Sequence, residues 1–194
     1  MTHKYANIAF TPTIKKLQQQ HGSRKSYARM EEGPDRNHIL SEREAAFIAE
    51  RDSFYMATVT ETGWPYMQHR GGPKGFLKVL DKRIIGFADF SGNKQYISTG
   101  NLQNNDRVSL FLMDYPHKAR LKMLGRARVV GLEDSALLSR LELSDYKAVV
   151  ERAVIIHIEG FDWNCPQHIT PRFTLDEIEE TVKSNPALLE EWLG

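Results

Sequence analysis

Two clusters of small and charged residues each follow a predicted strand and could bind an anion. The first is His69-Arg70-Gly71-Gly72-Pro73-Lys74-Gly75, where glycines let the backbone approach a ligand and Arg70 or Lys74 could meet a phosphate. The second, Ser91-Gly92-Asn93-Lys94-Gln95, is expected to begin a short helix up to Gly100, and a helix N-terminus attracts anions. The alternatives are a flexible connection between hairpins and an ordinary N-cap. Neither cluster matches the P-loop or the dinucleotide-binding glycine pattern.

Four basic residues alternate along one predicted strand and therefore share a face: Arg120, Lys122, Arg126 and Arg128. Such a face is usually solvated, but it could also line a phosphate site or a subunit interface, or bind nucleic acid. No nucleic-acid motif accompanies it, so we expect no nucleic-acid partner.

The segment from Asp162 to His168 brings Trp163, two amides and an imidazole together just after a strand. This composition suits the wall of a pocket, although packing in the core is the usual role of a lone tryptophan. His157, Glu159, Cys165 and His168 are zinc-ligand types, but the paired spacings of zinc sites are absent and we expect no metal. Cys165 is the one cysteine, which excludes an internal disulfide framework.

The elements that must position these residues are mostly strands. Runs rich in β-branched and aromatic residues, joined by short turns, predict strands at 54–60, 64–69, 76–80, 83–90, 107–113, 119–130 and 152–161. Helices are predicted at 11–22, at 135–143, in the tail 174–194 with a break at Pro186, and from Ser41, which forms a capping box with Glu44. The polar segment 23–37 is predicted to be a loop. Hairpin order with flanking helices favours an antiparallel barrel.

Length and composition suit one soluble domain spanning 1–194, with a helical arm at about 1–52, a barrel at about 53–162 and a C-terminal segment at about 163–194. The chain has 194 residues, 41% hydrophobic and 26% charged, which is too apolar for a disordered protein. No apolar run approaches the ~20 residues of a membrane span, and no signal peptide is apparent, so we expect a cytoplasmic protein without a membrane partner.

The net charge of +1 hides an uneven distribution. Residues 68–130 contain twelve Lys and Arg but four Asp, an excess of eight positive charges, and the flanks are acidic. This central segment is therefore suited to an anionic ligand.

The run GWPYMQHRGGPKGFLKVLDKRIIGFADFSGNKQYISTGNLQNNDRVSLFLMDYPHKARLKMLGRARVV resembles the flavin-binding barrel of the pyridoxamine 5′-phosphate oxidase superfamily. FTPTIKKLQQQHGSR and FDWNCPQHITPRF resemble its related, predicted flavin-nucleotide-binding branch. The resemblance implies a mainly β fold, a six-stranded antiparallel Greek-key split barrel with peripheral helices. It also implies a homodimer with FMN at the interface.

The flavin-binding motifs of the oxidase can be compared with this sequence residue by residue, and several positions differ. In the oxidase an R-x-V-L-L-K strand contacts the flavin; here its first Arg and last Lys become Gln68 and Pro73, and Arg70 is a shifted replacement. The Arg-Lys pair that grips the FMN phosphate falls on Lys94 and Gln95, and Arg120 could restore the missing charge across the interface. The implied cofactor-binding residues are His69, Arg70, Gly71, Ala88, Asp89, Ser91, Asn93, Lys94, Gln95, Arg120, Leu121 and Trp163.

These features predict an FMN-binding flavoprotein and oxidoreductase that is not a true pyridoxamine 5′-phosphate oxidase. NAD(P)H is a possible electron donor, and His69 and His168 are candidate acid–base groups because histidine titrates near neutral pH. The alternatives are a non-catalytic flavin-binding or flavin-sensing module and, less favoured, a nucleic-acid-binding barrel.

Overall fold

The computed structural model describes residues 3–32, 35–143 and 145–184. In this part of the chain the sequence folds around one mainly antiparallel sheet of seven strands, one more than the six expected. The strands are β1 (Ser53–Val59), β2 (Pro65–Gly71), β3 (Lys78–Asp81), β4 (Ile84–Phe90), β5 (Arg107–Asp114), β6 (Ala119–Val130) and β7 (Val150–Trp163).

Seven helices surround the sheet in the described residues. They are α1 (Lys4–Ala9), α2 (Pro12–Gln20), α3 (Arg24–Glu31), α4 (Glu42–Ala49), α5 (Ile97–Asn104), α6 (Ser135–Leu141) and α7 (Leu175–Ser184). The predicted break of the tail helix at Pro186 lies outside the described residues.

The strand order is β2-β1-β5-β6-β7-β4-β3, and each neighbouring pair is antiparallel. The chain therefore leaves the β3–β4 hairpin through α5 and crosses to pair β5 with β1. This connection carries α5 over the region between β2 and β4, next to the second of the two predicted anion-binding clusters.

The sheet curls until its two ends meet. Phe54 of β1 contacts Phe87 of β4 edge to face, with ring centroids 5.4 Å apart, although three strands separate β1 from β4 in the sheet. Arg70 of β2 likewise forms an ion pair with Asp89 of β4, 2.6 Å from Nη1 to Oδ1. These contacts confirm the predicted split barrel, with the opening between β2 and β4.

The core follows the alternation expected of strands with one buried face. Side chains of Phe54, Met56, Leu110, Leu112 and Leu121 are almost completely buried inside the barrel. On β6, the charged residues between the buried positions face outward, as predicted. There Lys122 lies 3.5 Å from Asp162, and Arg126 lies 2.8 Å from Asp106, so much of this basic face is neutralised by carboxylates.

The prediction of a loop over 23–37 is wrong, because α3 occupies Arg24–Glu31. Its polar sequence shows no apolar period. The helix is held instead by charge: Glu31 accepts from Arg24 and lies 2.5 Å from Lys15 of α2. Burial alone would raise the pKa of Glu31, but these two cations hold it below its usual value.

The N-terminal helix α1 also lacked a sequence signal. His3 caps it, because its Nδ1 accepts a hydrogen bond from the Ala6 backbone N–H at 3.3 Å. The helix lies directly on β7, where a Cβ at Gly160 would be 2.6 Å from the Tyr5 backbone nitrogen. A residue without a side chain is therefore required at this crossing.

Candidate anion-binding site

A cleft of about 230 Å³ opens at the split of the barrel. Its walls are β2, the end of β4, the loop 92–96, the first turn of α5 and the start of β7. An adjoining cavity of about 150 Å³ lies on the other side of Arg70 and Asp89, between β2 and β4. The Arg70–Asp89 ion pair therefore forms the partition between the two spaces.

The helix that follows the second predicted anion-binding cluster begins and ends later than the sequence predicted. The helix does not begin within 91–95 but at Ile97, and it runs past Gly100 to Asn104. Lys94 and Tyr96 have positive φ angles of 57° and 55°, a conformation that costs non-glycine residues of order 1–3 kcal/mol. Such strain is typical of ligand-binding loops, where the surrounding structure maintains it.

The N-terminus of α5 has no side-chain cap, because the side chain of its N-cap residue, Tyr96, accepts no hydrogen bond from the first turn of the helix. Ile97, Ser98 and Thr99, which form the first turn, line the cleft together with Lys94. Backbone N–H groups of a first helical turn carry a partial positive charge and bind anions. The Lys94 ammonium adds a full charge beside them.

Three cations and two carboxylates line the cleft, which leaves one excess positive charge: Arg70, Lys94 and Arg152 against Asp89 and Glu151. Asp89 is 9% exposed, and its Oδ2 lies 3.5 Å from Arg152 Nε. Burial raises the pKa of Asp89 even though Arg70 and Arg152 act to lower it. A hydrogen bond from Ser91, together with Arg152 and Lys94, holds the pKa of Glu151 below its usual value.

Hydrogen bonds from α5 to the barrel hold this helix in place above the cleft. Ser98 Oγ donates to Gln68 Oε1 of β2 at 2.9 Å. Asn101 Nδ2 donates to Thr58 Oγ1 of β1, also at 2.9 Å, and both of these residues are buried. Gln68 thus supports the helix here, at the position where the oxidase motif has a flavin-contacting arginine.

The structure brings most of the predicted cofactor residues together around these two cavities. Arg70, Asp89, Asn93, Lys94 and Gln95 line the larger cleft. The smaller cavity is lined by five of the predicted residues: His69, Arg70, Gly71, Ala88 and Asp89. Ser91 does not line either space, but its hydroxyl acts to lower the pKa of Glu151, which lines the cleft.

The remaining predicted residues lie elsewhere in the chain, near the paired positions Leu121 and Trp163 of β6 and β7. Leu121 is fully buried in the core, and Trp163 packs against α4. Arg120 Nη2 donates to the Cys165 carbonyl at 3.3 Å, and His168 is exposed. The assignment of Arg120 to a flavin held by a partner subunit, and of Leu121 and Trp163 to flavin binding, stays a prediction.

Sequence reasoning missed Arg152 and Glu151. Both precede the apolar run of β7, where a single charged pair resembles the ordinary end of a strand. They reach the cleft because Arg152 pairs with Asp89 in the β4–β7 ladder. That register depends on contacts between strands more than 60 positions apart.

Among residues 3–32, 35–143 and 145–184, no group of three or more His, Cys, Asp or Glu side chains could hold a metal ion. Within the same ranges, no helix has the length and apolar character needed to cross a membrane.

Comparison with known proteins agrees with this architecture. The family model described as pyridoxamine 5′-phosphate oxidase matches residues 40–163, more than half of the chain. A putative pyridoxamine 5′-phosphate oxidase structure from Lactobacillus delbrueckii is 22% identical, with a TM-score of 0.50 over 64% of this chain and 94% of that chain. HupZ of Group A Streptococcus is 15% identical, with a TM-score of 0.53 over 70% of this chain and 100% of that chain. These structural likenesses show the fold alone.

No curated protein matches the sequence. By the extent of the family match, the chain belongs to the pyridoxamine 5′-phosphate oxidase family.

Proposed function

We propose that the protein is an FMN-binding flavoprotein that acts as an oxidoreductase. The observation that carries the proposal is the convergence of an uncapped helix N-terminus, Lys94 and two arginines on one cleft at the split of the barrel. This arrangement suits a dianionic phosphate, because charge-assisted hydrogen bonds from several donors can share it.

The side chains of the cleft fit a phosphorylated flavin by their unused donors. Arg70 Nε and Arg152 Nε are buried and have no hydrogen-bond partner among the described residues. Such donors carry a cost, and Nη1 of each arginine, which makes one side-chain hydrogen bond to Asp89 or Thr99, keeps a second hydrogen for a bound acceptor. Lys94, Asn93 and the first turn of α5 would hold the phosphate, and the cavity beside Gly71 and Ala88 would receive part of the ring.

The proposal includes a homodimer. Each of the two cavities, of about 230 and 150 Å³, is smaller than the ~300–1,000 Å³ typical of sites that enclose a ligand of this size, and together they reach only the lower part of that range. A second copy would complete the site, and Arg120, Trp163 and His168 are the residues that it would contribute.

When bound, the flavin would accept and deliver the hydride or electrons, while the protein binds and orients it. Lys94 and the α5 N-terminus would neutralise the phosphate, and the Arg70–Asp89 pair would set the polarity between phosphate and ring. His69 lines the ring-side cavity and His168 would come from the partner; each is a proposed acid–base group.

The first experiment is the absorption spectrum of the purified protein, followed by the affinity of the apoprotein for FMN and for riboflavin. Lys94→Ala is expected to weaken FMN binding about 10- to 100-fold, since a hydrogen bond to a charged group contributes ~1.5–3 kcal/mol. Riboflavin, which lacks the phosphate, should bind both proteins equally. Lys16→Ala, an exposed lysine of α2, is the control. Unchanged FMN affinity in Lys94→Ala would contradict the phosphate assignment.

Turnover is tested separately. The proposal expects that the flavin-loaded protein is reduced anaerobically by NADH or NADPH and reoxidised by an acceptor. Failure with every donor would favour a flavin-binding module without turnover. We expect little pyridoxamine 5′-phosphate oxidation, because Gln68, Pro73 and Gln95 replace residues of the oxidase motifs. Efficient turnover of that substrate would overturn this expectation.

A further inference from the structure

Arg152 of β7 lies in the same cleft as Lys94, although no sequence pattern pointed to it. We propose that Arg152 is the second phosphate-binding cation of the site and takes the place of the charge that Gln95 lacks. This inference rests on the proposed flavin function and names a residue of that site.

The first support is the position of the guanidinium between the loop and α5. Arg152 Nη1 donates to Thr99 Oγ1 in the first helical turn at 3.3 Å. Its Cζ lies 5.0 Å from the ring centroid of Tyr96, a cation–π contact with the residue that precedes the helix. An anion at the N-terminus of α5 would therefore meet this guanidinium as well as Lys94.

The second support is the incomplete use of its donors. A guanidinium carries five N–H hydrogens in a planar fork. Nη1 bonds Thr99 and Nη2 bonds Glu151, while the buried Nε has no hydrogen-bond partner among the described residues. Nε lies 3.5 Å from Asp89 Oδ2, an ion-pair distance without a hydrogen bond. Nε therefore faces Asp89, and the second hydrogens of Nη1 and Nη2 are the donors left for a phosphate oxygen, on a side chain that is 15% exposed.

The third support is the contrast with Arg120. In a single chain Arg120 bonds the Cys165 carbonyl and does not line the cleft, so it can act only from a partner subunit. Arg152 needs no partner, because the β4–β7 ladder places it opposite Asp89 in the same chain. The two arginines are therefore alternative sources of the missing charge, and they can be separated by mutation.

Glu151 is the competing anion at this site. Its carboxylate bonds Arg152, and Lys94 also acts on it electrostatically. A phosphate that binds the same two cations must share them with Glu151. Removal of the Glu151 charge should therefore strengthen phosphate binding, which is opposite to the effect of removing Arg152.

The experiment measures dissociation constants of FMN and riboflavin for the apoprotein by quenching of flavin fluorescence. Arg152→Gln is expected to weaken FMN about 10- to 100-fold and riboflavin less than about twofold. Arg152→Lys should recover part of the loss, and Glu151→Gln should bind FMN more tightly than the wild type. Arg128→Gln, an exposed arginine of β6 outside the cleft, is the matched control and should leave both constants unchanged.

Equal losses of FMN and riboflavin affinity in Arg152→Gln would assign Arg152 a structural role and overturn the proposal. A loss in Arg120→Gln with none in Arg152→Gln would overturn it in favour of the partner's arginine. If the wild type binds no flavin, the proposed function fails, and pyrophosphate becomes the probe for Arg152. Protection of the wild type and Arg128→Gln against thermal unfolding, absent in Arg152→Gln, would then still support an anion site; equal protection would refute it.

Discussion

The hydrogen bond between Trp163 and Glu44 joins the end of β7 to α4 and can be tested quantitatively. Trp163 Nε1 donates to Glu44 Oε1 at 2.8 Å, and Glu44 is only 6% exposed. The other oxygen of this carboxylate accepts from the Ser41 backbone N–H at 3.0 Å and so closes the predicted capping box. One buried carboxylate therefore serves both the helix cap and the tryptophan.

Trp163→Phe removes the indole donor and retains an aromatic ring beside Phe47, whose centroid lies 4.7 Å from that of Trp163. A hydrogen bond to a charged group contributes ~1.5–3 kcal/mol to stability. In a double-mutant cycle with Glu44→Ala, which removes the acceptor, we expect a coupling energy of about 1.5–3 kcal/mol at pH 7. Trp64→Phe, at a residue that is 73% exposed, is the control and should show no coupling with Glu44→Ala.

The coupling should depend on pH in a defined direction. Burial acts to raise the pKa of Glu44, but hydrogen bonds from Ser41 and Trp163 outweigh it, so the pKa lies below the ordinary value of 4.5. A carboxyl whose pKa is lowered in the folded state contributes stability above its unfolded pKa. This stability is lost as the pH falls from 4.5 through the folded-state pKa.

Urea unfolding of the four proteins of the cycle, at pH 7 and again below pH 4, measures both effects. The expected result is a coupling energy at pH 7 that shrinks in acid. A coupling below about 0.5 kcal/mol at pH 7, the usual limit of additivity, would refute the importance of the hydrogen bond. A coupling of full size that persists in acid would refute the assignment of the charge.

Two further predictions concern α1 and α5. Gly160→Ala places a Cβ 2.6 Å from the Tyr5 backbone nitrogen, so the free energy of unfolding should fall by about 1–3 kcal/mol. Protease should also cleave α1 faster in this variant, and unchanged cleavage would contradict the close packing. Asn101→Ala leaves the buried Thr58 hydroxyl without its 2.9 Å partner and should lower the free energy of unfolding by about 1–3 kcal/mol, whereas the exposed Asn104→Ala should cost less. Equal effects of the two variants would contradict the importance of the hydrogen bond between Asn101 and Thr58.

Local chemistry explains why several elements could be predicted. The capping box at Ser41 and Glu44 involves neighbours three residues apart, and the structure confirms it. The alternation on β6 likewise reflects the two-residue period of a strand, so the predicted basic face alternates with Leu121, Met123 and Ala127, which are buried. Turns and β-branched runs determined where the strands lie to within a few residues.

The failures have a common cause, since each depended on contacts outside the local sequence. The polar helix α3 is stabilised by ion pairs of Glu31 with Lys15 of α2 and with Arg24 of α3, and its sequence has no hydrophobic period that would predict a helix. The helix α5 begins at Ile97, later than predicted, because Lys94 and Tyr96 adopt positive φ angles. Residues other than glycine and asparagine rarely adopt such angles, so the sequence did not indicate them.

The sequence by itself determined an antiparallel β protein, its family resemblance and a basic central segment with Lys94 in a predicted anion-binding cluster. Only the tertiary structure decided which charges face one another. The curl of the sheet brings Arg70 to Asp89, and the β4–β7 register brings Arg152 to the same carboxylate. Electrostatic interactions depend on distance and burial in three dimensions, and strand pairing between distant segments sets both.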